Sequence, residues 1–163
     1  MKKLLVLILL IAIVACSDKP KDEAKAAIKN ISVDKITDDM GCENCGMNLK
    51  KFISTGHALK LDNGHAHFYC SINCSTIALA DLEKSTKNVF AIDYETTKYV
   101  DASTAHYVIG SEVRGTMTSL SKITFASLEK AKKFSELYNG KQIVDYLTAK
   151  ELSTSEIEKR NSH

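Results

Sequence analysis

Two closely spaced cysteine pairs constrain this chain more than any other feature: Cys42-x2-Cys45 and, 24 residues on, Cys70-x3-Cys74. A pair three apart at a turn aims both sulfurs at one point, and a pair four apart at a helix start lies on one helix face. The stretch between must fold back on itself if the four thiols are to meet. HALKL and HAHFY alternate apolar and polar residues around Asp62-Asn63-Gly64, and Asn-Gly is the dipeptide that best accepts the positive φ of a tight hairpin turn. The reading is a β-hairpin over residues 57–69. A helix follows over about residues 73–84, where Ile72, Thr76, Leu79 and Leu82 recur at near-helical spacing, and VFAIDY (89–94) is a further strand.

The same order of elements recurs. HYVIG from His106 and KITFAS from Lys122 read as strands, residues 128–138 as a helix capped by Ser127 and stopped at Asn139-Gly140, and KQIVDYL from Lys141 as a closing strand. No residue-level repeat links the halves. The expected fold class is α+β, as two small ββαβ modules in tandem over residues 31–97 and 98–148, against a single α+β domain holding the same elements. Residues 149–163 are expected to form a polar tail, a short helix or a frayed end.

The beginning of the chain has a different character. Two lysines precede an unbroken apolar run over residues 4–15, too short to span a bilayer as a mature helix, which reads as an export signal. Ile13, Val14 and Ala15 lead into Cys16 in a pattern that resembles the bacterial lipobox, so residues 1–15 are expected to be a lipoprotein signal peptide and Cys16 a lipidated first residue. Several acyl chains hold a protein on a membrane where one is marginal. Residues 16–30 are charged, alanine-rich and contain the sole proline, which suits a tether. Removing residues 1–15 takes two lysines and no acid from a formal charge of +2, leaving zero, so nothing here calls for a nucleic-acid partner.

In an exported chain, four cysteines beyond Cys16 have three readings: a closed zinc knuckle, two disulfides, or a landing site for a soft ion. Soft sulfur favours Cu(I) among biological cations, with Zn(II) as the alternative. Met47, two residues past Cys45, adds a thioether that a zinc knuckle has no use for. His65 and His67 face one side of their strand and are further ligand candidates, with His57 on the same hairpin. A thioredoxin-like role for Cys42-x2-Cys45 expects a strand and helix around the pair, whereas a hairpin follows here. No Ser-His-Asp, paired-carboxylate or phosphate-loop pattern stands out, so no enzymatic activity is expected.

The arrangement of one cysteine before a hairpin and a C-x3-C at the next helix resembles TRASH-type metal-trafficking motifs. The longer pattern is more specific: the lipobox, CENCGM, then YVDASTAHYVIGSEVRGTM (99–117) and ITFASLEKAKKFSELYNGKQIVDY (123–146) resemble the NosL family of nitrous oxide reductase accessory lipoproteins. That resemblance implies a membrane-anchored, periplasm-facing Cu(I) chaperone serving the copper-sulfur cluster of nitrous oxide reductase with an ABC-type membrane complex. It implies Cys45 and Met117, one from each module, as copper ligands, with Met47 beside Cys45; Cys42, Cys70 and Cys74 are candidates from the spacing of the two cysteine pairs and the TRASH-like pattern. The sequence departs from the family pattern at Thr116 and Thr118 beside Met117, and in carrying YCSINC. The other readings are a lipoprotein that traffics or sequesters another heavy metal, and a zinc-stapled interaction module.

Overall fold

A computed structural model describes residues 31–162. The expected signal peptide, tether and lipidation site at Cys16 lie outside the described residues, as does His163. Among the described residues no helix is long and apolar enough to cross a membrane.

The expected hairpin forms from β1 (His57–Leu61) and β2 (Ala66–Tyr69), paired antiparallel with Leu59 opposite His67. Its turn differs in detail from a two-residue Asn-Gly turn. The Gly64 N–H donates to Leu61 O, the Leu61 N–H donates to His65 O, and Gly64 alone takes a positive φ, of 86°. That is a three-residue loop with glycine in the left-handed position, which leaves Asn63 in ordinary backbone space. Its amide oxygen accepts from the His65 N–H instead.

Ser71 caps α1 (Ile72–Leu82), its hydroxyl accepting from the Cys74 N–H at 3.3 Å. The chain returns through β3 (Thr86–Asp93), which pairs with β1, and β4 (Lys98–Asp101) adds to β3. The first sheet thus runs β2-β1-β3-β4 and extends past the boundary expected at residues 97 and 98. The second half repeats the wiring. β5 (His106–Ile109) is central, β6 (Lys122–Phe125) and β7 (Gln142–Val144) flank it antiparallel, and α2 (Leu128–Leu137) connects the flanking strands. In both halves the first strand lies in the middle and the helix crosses from the second strand to the third, so the architecture is α+β with two ββαβ units.

Three apolar clusters make the core. One lies in each unit, and a middle one joins Ile72 and Ala91 of the first half to Tyr107 and Ile109 of the second. The closing strand stops at Val144, earlier than its sequence indicates, because Asp145 caps a helix by accepting from the Thr148 N–H at 2.8 Å. That helix, α3 (Tyr146–Asn161), is the helical alternative expected for residues 149–163, begun three residues earlier and docked on the body of the protein. Tyr146, Ala149 and Ser153, at spacings of three and four, are buried, and Tyr146 and Ala149 complete the middle cluster. The units also meet through hydrogen bonds: Tyr94 N–H to Thr124 O at 2.9 Å, and Ala126 N–H to the buried Asp93 carboxylate at 2.9 Å.

Candidate metal centre

Residues 41–48 form a tight knuckle. The Cys42 N–H donates to Met47 O and the Gly46 N–H to Cys42 O, both at 2.8 Å, while Gly41 and Asn48 form an antiparallel bridge. Gly46 sits at φ +74°, where a side chain is disfavoured. Glu43 ties the knuckle to the outer edge of β2. Its N–H donates to Phe68 O at 3.2 Å, one carboxylate oxygen accepts from the Phe68 N–H at 2.9 Å, and the other pairs with His67 Nδ1. An edge strand's unpaired backbone groups are thereby used to hold the metal knuckle.

Cys70 follows β2 directly, and Cys74 lies in the first turn of α1. The four sulfurs of Cys42, Cys45, Cys70 and Cys74 all fall within 4.8 Å of one another. Sγ separations are 3.6 Å for Cys45 to Cys70, 3.7 Å for Cys70 to Cys74 and 3.7 Å for Cys74 to Cys45. None of the four is joined in a disulfide here. Cys42, Cys70 and Cys74 are buried, whereas Cys45 is exposed.

Thiols this close cannot ionise independently. Hydrogen bonds from Cys70 and Cys74 hold the Cys42 thiol far below its ordinary range, and the Cys42 sulfur in turn raises Cys70 strongly and Cys74 to about 11. A cation at the centre removes that conflict, since each thiolate then faces positive charge. The donor set fits an ion on size too: Cys45, Cys70 and Cys74 sulfurs spaced 3.6 to 3.7 Å apart leave room for a point about 2.3 Å from all three, the length of a zinc–thiolate bond, with the Cys42 sulfur within 4.8 Å of each.

The loop carrying Met117 docks beside this cluster. Asn73, which precedes Cys74, donates its amide N–H to Met117 O at 2.8 Å. The buried Thr55 hydroxyl lies 2.8 Å from Cys70 O and 2.7 Å from the Thr116 hydroxyl, and with one proton it donates to the carbonyl and accepts from Thr116. Thr116, a departure from the family pattern, is thus a fastening point between the halves. Met117 is 41% exposed and has φ +56°, a left-handed conformation that costs a non-glycine residue about 1–2 kcal/mol. Gly115 is required for a different reason: a Cβ there would stand 2.3 Å from Thr118 Oγ1.

Among the His, Cys, Asp and Glu side chains of the described residues, the four cysteines alone make the converging group. Met47 is half-buried against the first core cluster, and Met40 packs there too, with its sulfur accepting from the Thr37 N–H. His65 and His67 are not brought into the cluster. His65 is exposed at the turn, and His67 is engaged by Glu43. The Glu43 carboxylate of the knuckle takes the His67 ring, and His65 stands two residues further toward the turn. His57 is buried between the halves, with Nδ1 3.0 Å from Thr55 O and Nε2 3.2 Å from the Tyr107 hydroxyl. Sequence reasoning missed Glu43, Thr55 and Asn73. Each acts through a partner distant in sequence, and only the position of Asn73 inside C-x3-C pointed to it.

A family model described as NosL matches residues 32–153. Among solved structures, the crystal structure of the copper chaperone NosL from Shewanella denitrificans matches with a TM-score of 0.53 at 22% identity, covering 68% of this chain and 90% of that chain. At that identity the likeness speaks to the fold alone. No curated protein matches the chain.

Proposed function

The chain belongs to the NosL family, and from that premise we propose that it is a Cu(I) chaperone. In this reading it is held on the membrane by lipid at Cys16, faces the periplasm, and passes copper toward the copper-sulfur cluster of nitrous oxide reductase with an ABC-type membrane complex. One observation carries the reading: four free thiols converge within 4.8 Å, and Cys45 alone among them is not buried.

The chemistry follows from that asymmetry. Cu(I) accepts thiolate and thioether in low-coordinate sites, so the ion is the cargo and is released unchanged. Buried Cys42, Cys70 and Cys74 retain it. Exposed Cys45 and the half-exposed Met117 are the ligands that a recipient's sulfur can replace, one bond forming as another breaks. Exchange of that kind keeps a free copper ion from ever entering solution.

A second reading has its own support. Three sulfurs spaced for ~2.3 Å bonds to one ion, with a fourth thiol converging on them, also suit a closed Zn(II) staple. Anaerobic competition titrations of the full chain in detergent, against Cu(I) and Zn(II) chelators, separate the two. The chaperone reading expects one Cu(I) per chain, displacement of Zn(II) by Cu(I), and weaker Cu(I) binding in Cys45→Ser and Met117→Leu. Retention of Zn(II) against Cu(I), with both variants unchanged, refutes it. For the recipient, cells lacking the gene should accumulate nitrous oxide and a copper-deficient reductase, and normal reduction would exclude that partner.

A further inference from the structure

The twelve residues between Ile109 and Lys122 form neither strand nor helix, yet Met117 within them is held in left-handed backbone space. Something outside the loop must hold it there. The structure supplies one carboxylate, that of Glu156 on α3. Its Oε2 accepts from the Ser119 N–H and from Asn73 Nδ2, each at 3.2 Å. Its Oε1 accepts from the Leu120 N–H at 3.1 Å and from Lys122 Nζ at 2.8 Å. A carboxylate offers about four lone-pair sites, and all are filled here.

The donors show what this carboxylate organises. Two are main-chain N–H groups two and three residues beyond Met117. A third, the Asn73 amide nitrogen, also donates to Met117 O and sits next to Cys74 in sequence. Glu156 therefore grips the Met117 loop from one side and, through Asn73, ties it to the helix turn that presents the thiols. The fourth donor is Lys122, whose side chain is fully buried. Its ammonium neutralises the carboxylate, so the clamp brings no net negative charge toward the thiolate cluster.

Glu156 continues the buried stripe of Tyr146, Ala149 and Ser153 on α3, and it lies three residues past the end of the family match at 153. The clamp thus comes from a part of this chain that the family pattern does not reach. We propose that Glu156 is a positioning residue of the copper site: it sets where the Met117 thioether stands relative to the four thiols. The proposal rests on the copper reading above. Without the carboxylate, two loop N–H groups lose their acceptor, the buried ammonium keeps only the Leu120 carbonyl at 3.4 Å, and the loop relaxes out of its strained conformation.

The test measures Cu(I) affinity of the full chain by anaerobic chelator competition for wild type, Glu156→Gln, Met117→Leu and the double variant. Selectively 13C-methyl-labelled Met117 is followed by NMR on Cu(I) addition, and Zn(II) affinity reports on the four thiols alone. Glu156→Gln should weaken Cu(I) binding by about tenfold, in the range seen for outer-shell groups, and to the same extent as Met117→Leu. The double variant should be no weaker than Met117→Leu, the Cu(I)-induced shift of the Met117 methyl should vanish in Glu156→Gln, and Zn(II) affinity should hold. Asn73→Ala, which spares the Glu156–Lys122 pair, should reproduce the loss and carries the test if Glu156→Gln does not fold. Wild-type Cu(I) affinity in both Glu156→Gln and Asn73→Ala beside a weakened Met117→Leu overturns the clamp alone. So do multiplicative losses in the double variant, or equal losses for Zn(II). An unaffected Met117→Leu overturns Met117 as a ligand, and with it both the copper assignment at that residue and the clamp.

Discussion

Lowering the pH from 7 to 5 should destabilise the metal-free chain by about 2 kcal/mol through His57 alone. The ring is fully buried, and its hydrogen bonds suit the neutral form: Nδ1–H donates to Thr55 O at 3.0 Å, and Nε2 accepts from the Tyr107 hydroxyl at 3.2 Å. Burial pulls its pKa down from 6.5 to about 4. A base whose folded pKa is depressed binds its proton more readily when unfolded. Stability is therefore complete above the unfolded value of 6.5 and is lost as pH falls toward the folded value. The full difference is worth about 3 kcal/mol below pH 4, of which about 2 kcal/mol is expressed by pH 5. Urea unfolding of the reduced chain at pH 7, 6 and 5 measures it, and for a slope of roughly 1.5 kcal/mol/M the midpoint should drop by about 1.3 M. Metal must be absent, because protons also compete for thiolates. His57→Gln is neutral throughout and should lose this pH dependence whatever its stability at pH 7. A wild-type midpoint that does not move, or a His57→Gln chain that moves equally, would refute the argument.

Other consequences follow from the site. Gly115→Ala should destabilise by about 1–3 kcal/mol, because the new Cβ meets Thr118 Oγ1 at 2.3 Å; Thr118→Ala in the same chain should restore most of the lost melting temperature. Thr55→Val leaves the buried Cys70 carbonyl and Thr116 hydroxyl short of a partner and should cost about 1–3 kcal/mol in chemical denaturation. Bound metal should raise unfolding free energy by about 4 kcal/mol at a thousand times its Kd, seen as a fall in Tm on chelation, and Cys74→Ser should abolish most of that gain. An identical Tm with and without metal would argue against a site that couples to the fold.

Much of the architecture was legible because its determinants are local. The hairpin follows from two-residue alternation around a turn, the caps Ser71 and Ser127 from hydroxyls at helix starts, and the convergence of thiols from cysteine pairs on either side of that hairpin. The docking of α3 was not legible. Its buried stripe of Tyr146, Ala149 and Ser153 mixes one aromatic, one small and one polar residue within a polar helix, and this gives no strong periodic signal. The join of β4 to the first sheet and the partition of His65 and His67 away from the sulfurs depended on strand neighbours remote in sequence.

The sequence by itself thus determined the ββαβ order and the bracketing of the hairpin by two cysteine pairs, since spacing and turn chemistry act over a few residues, while Met117 was singled out by the family resemblance alone. Only the tertiary structure decided what surrounds them: His57 sealed between the halves, Thr55 joining Cys70 to Thr116, and Glu156 gripping the Met117 loop. A polar side chain looks the same in sequence whether it meets water or a buried donor. Which of these it meets is set by the elements that pack over it.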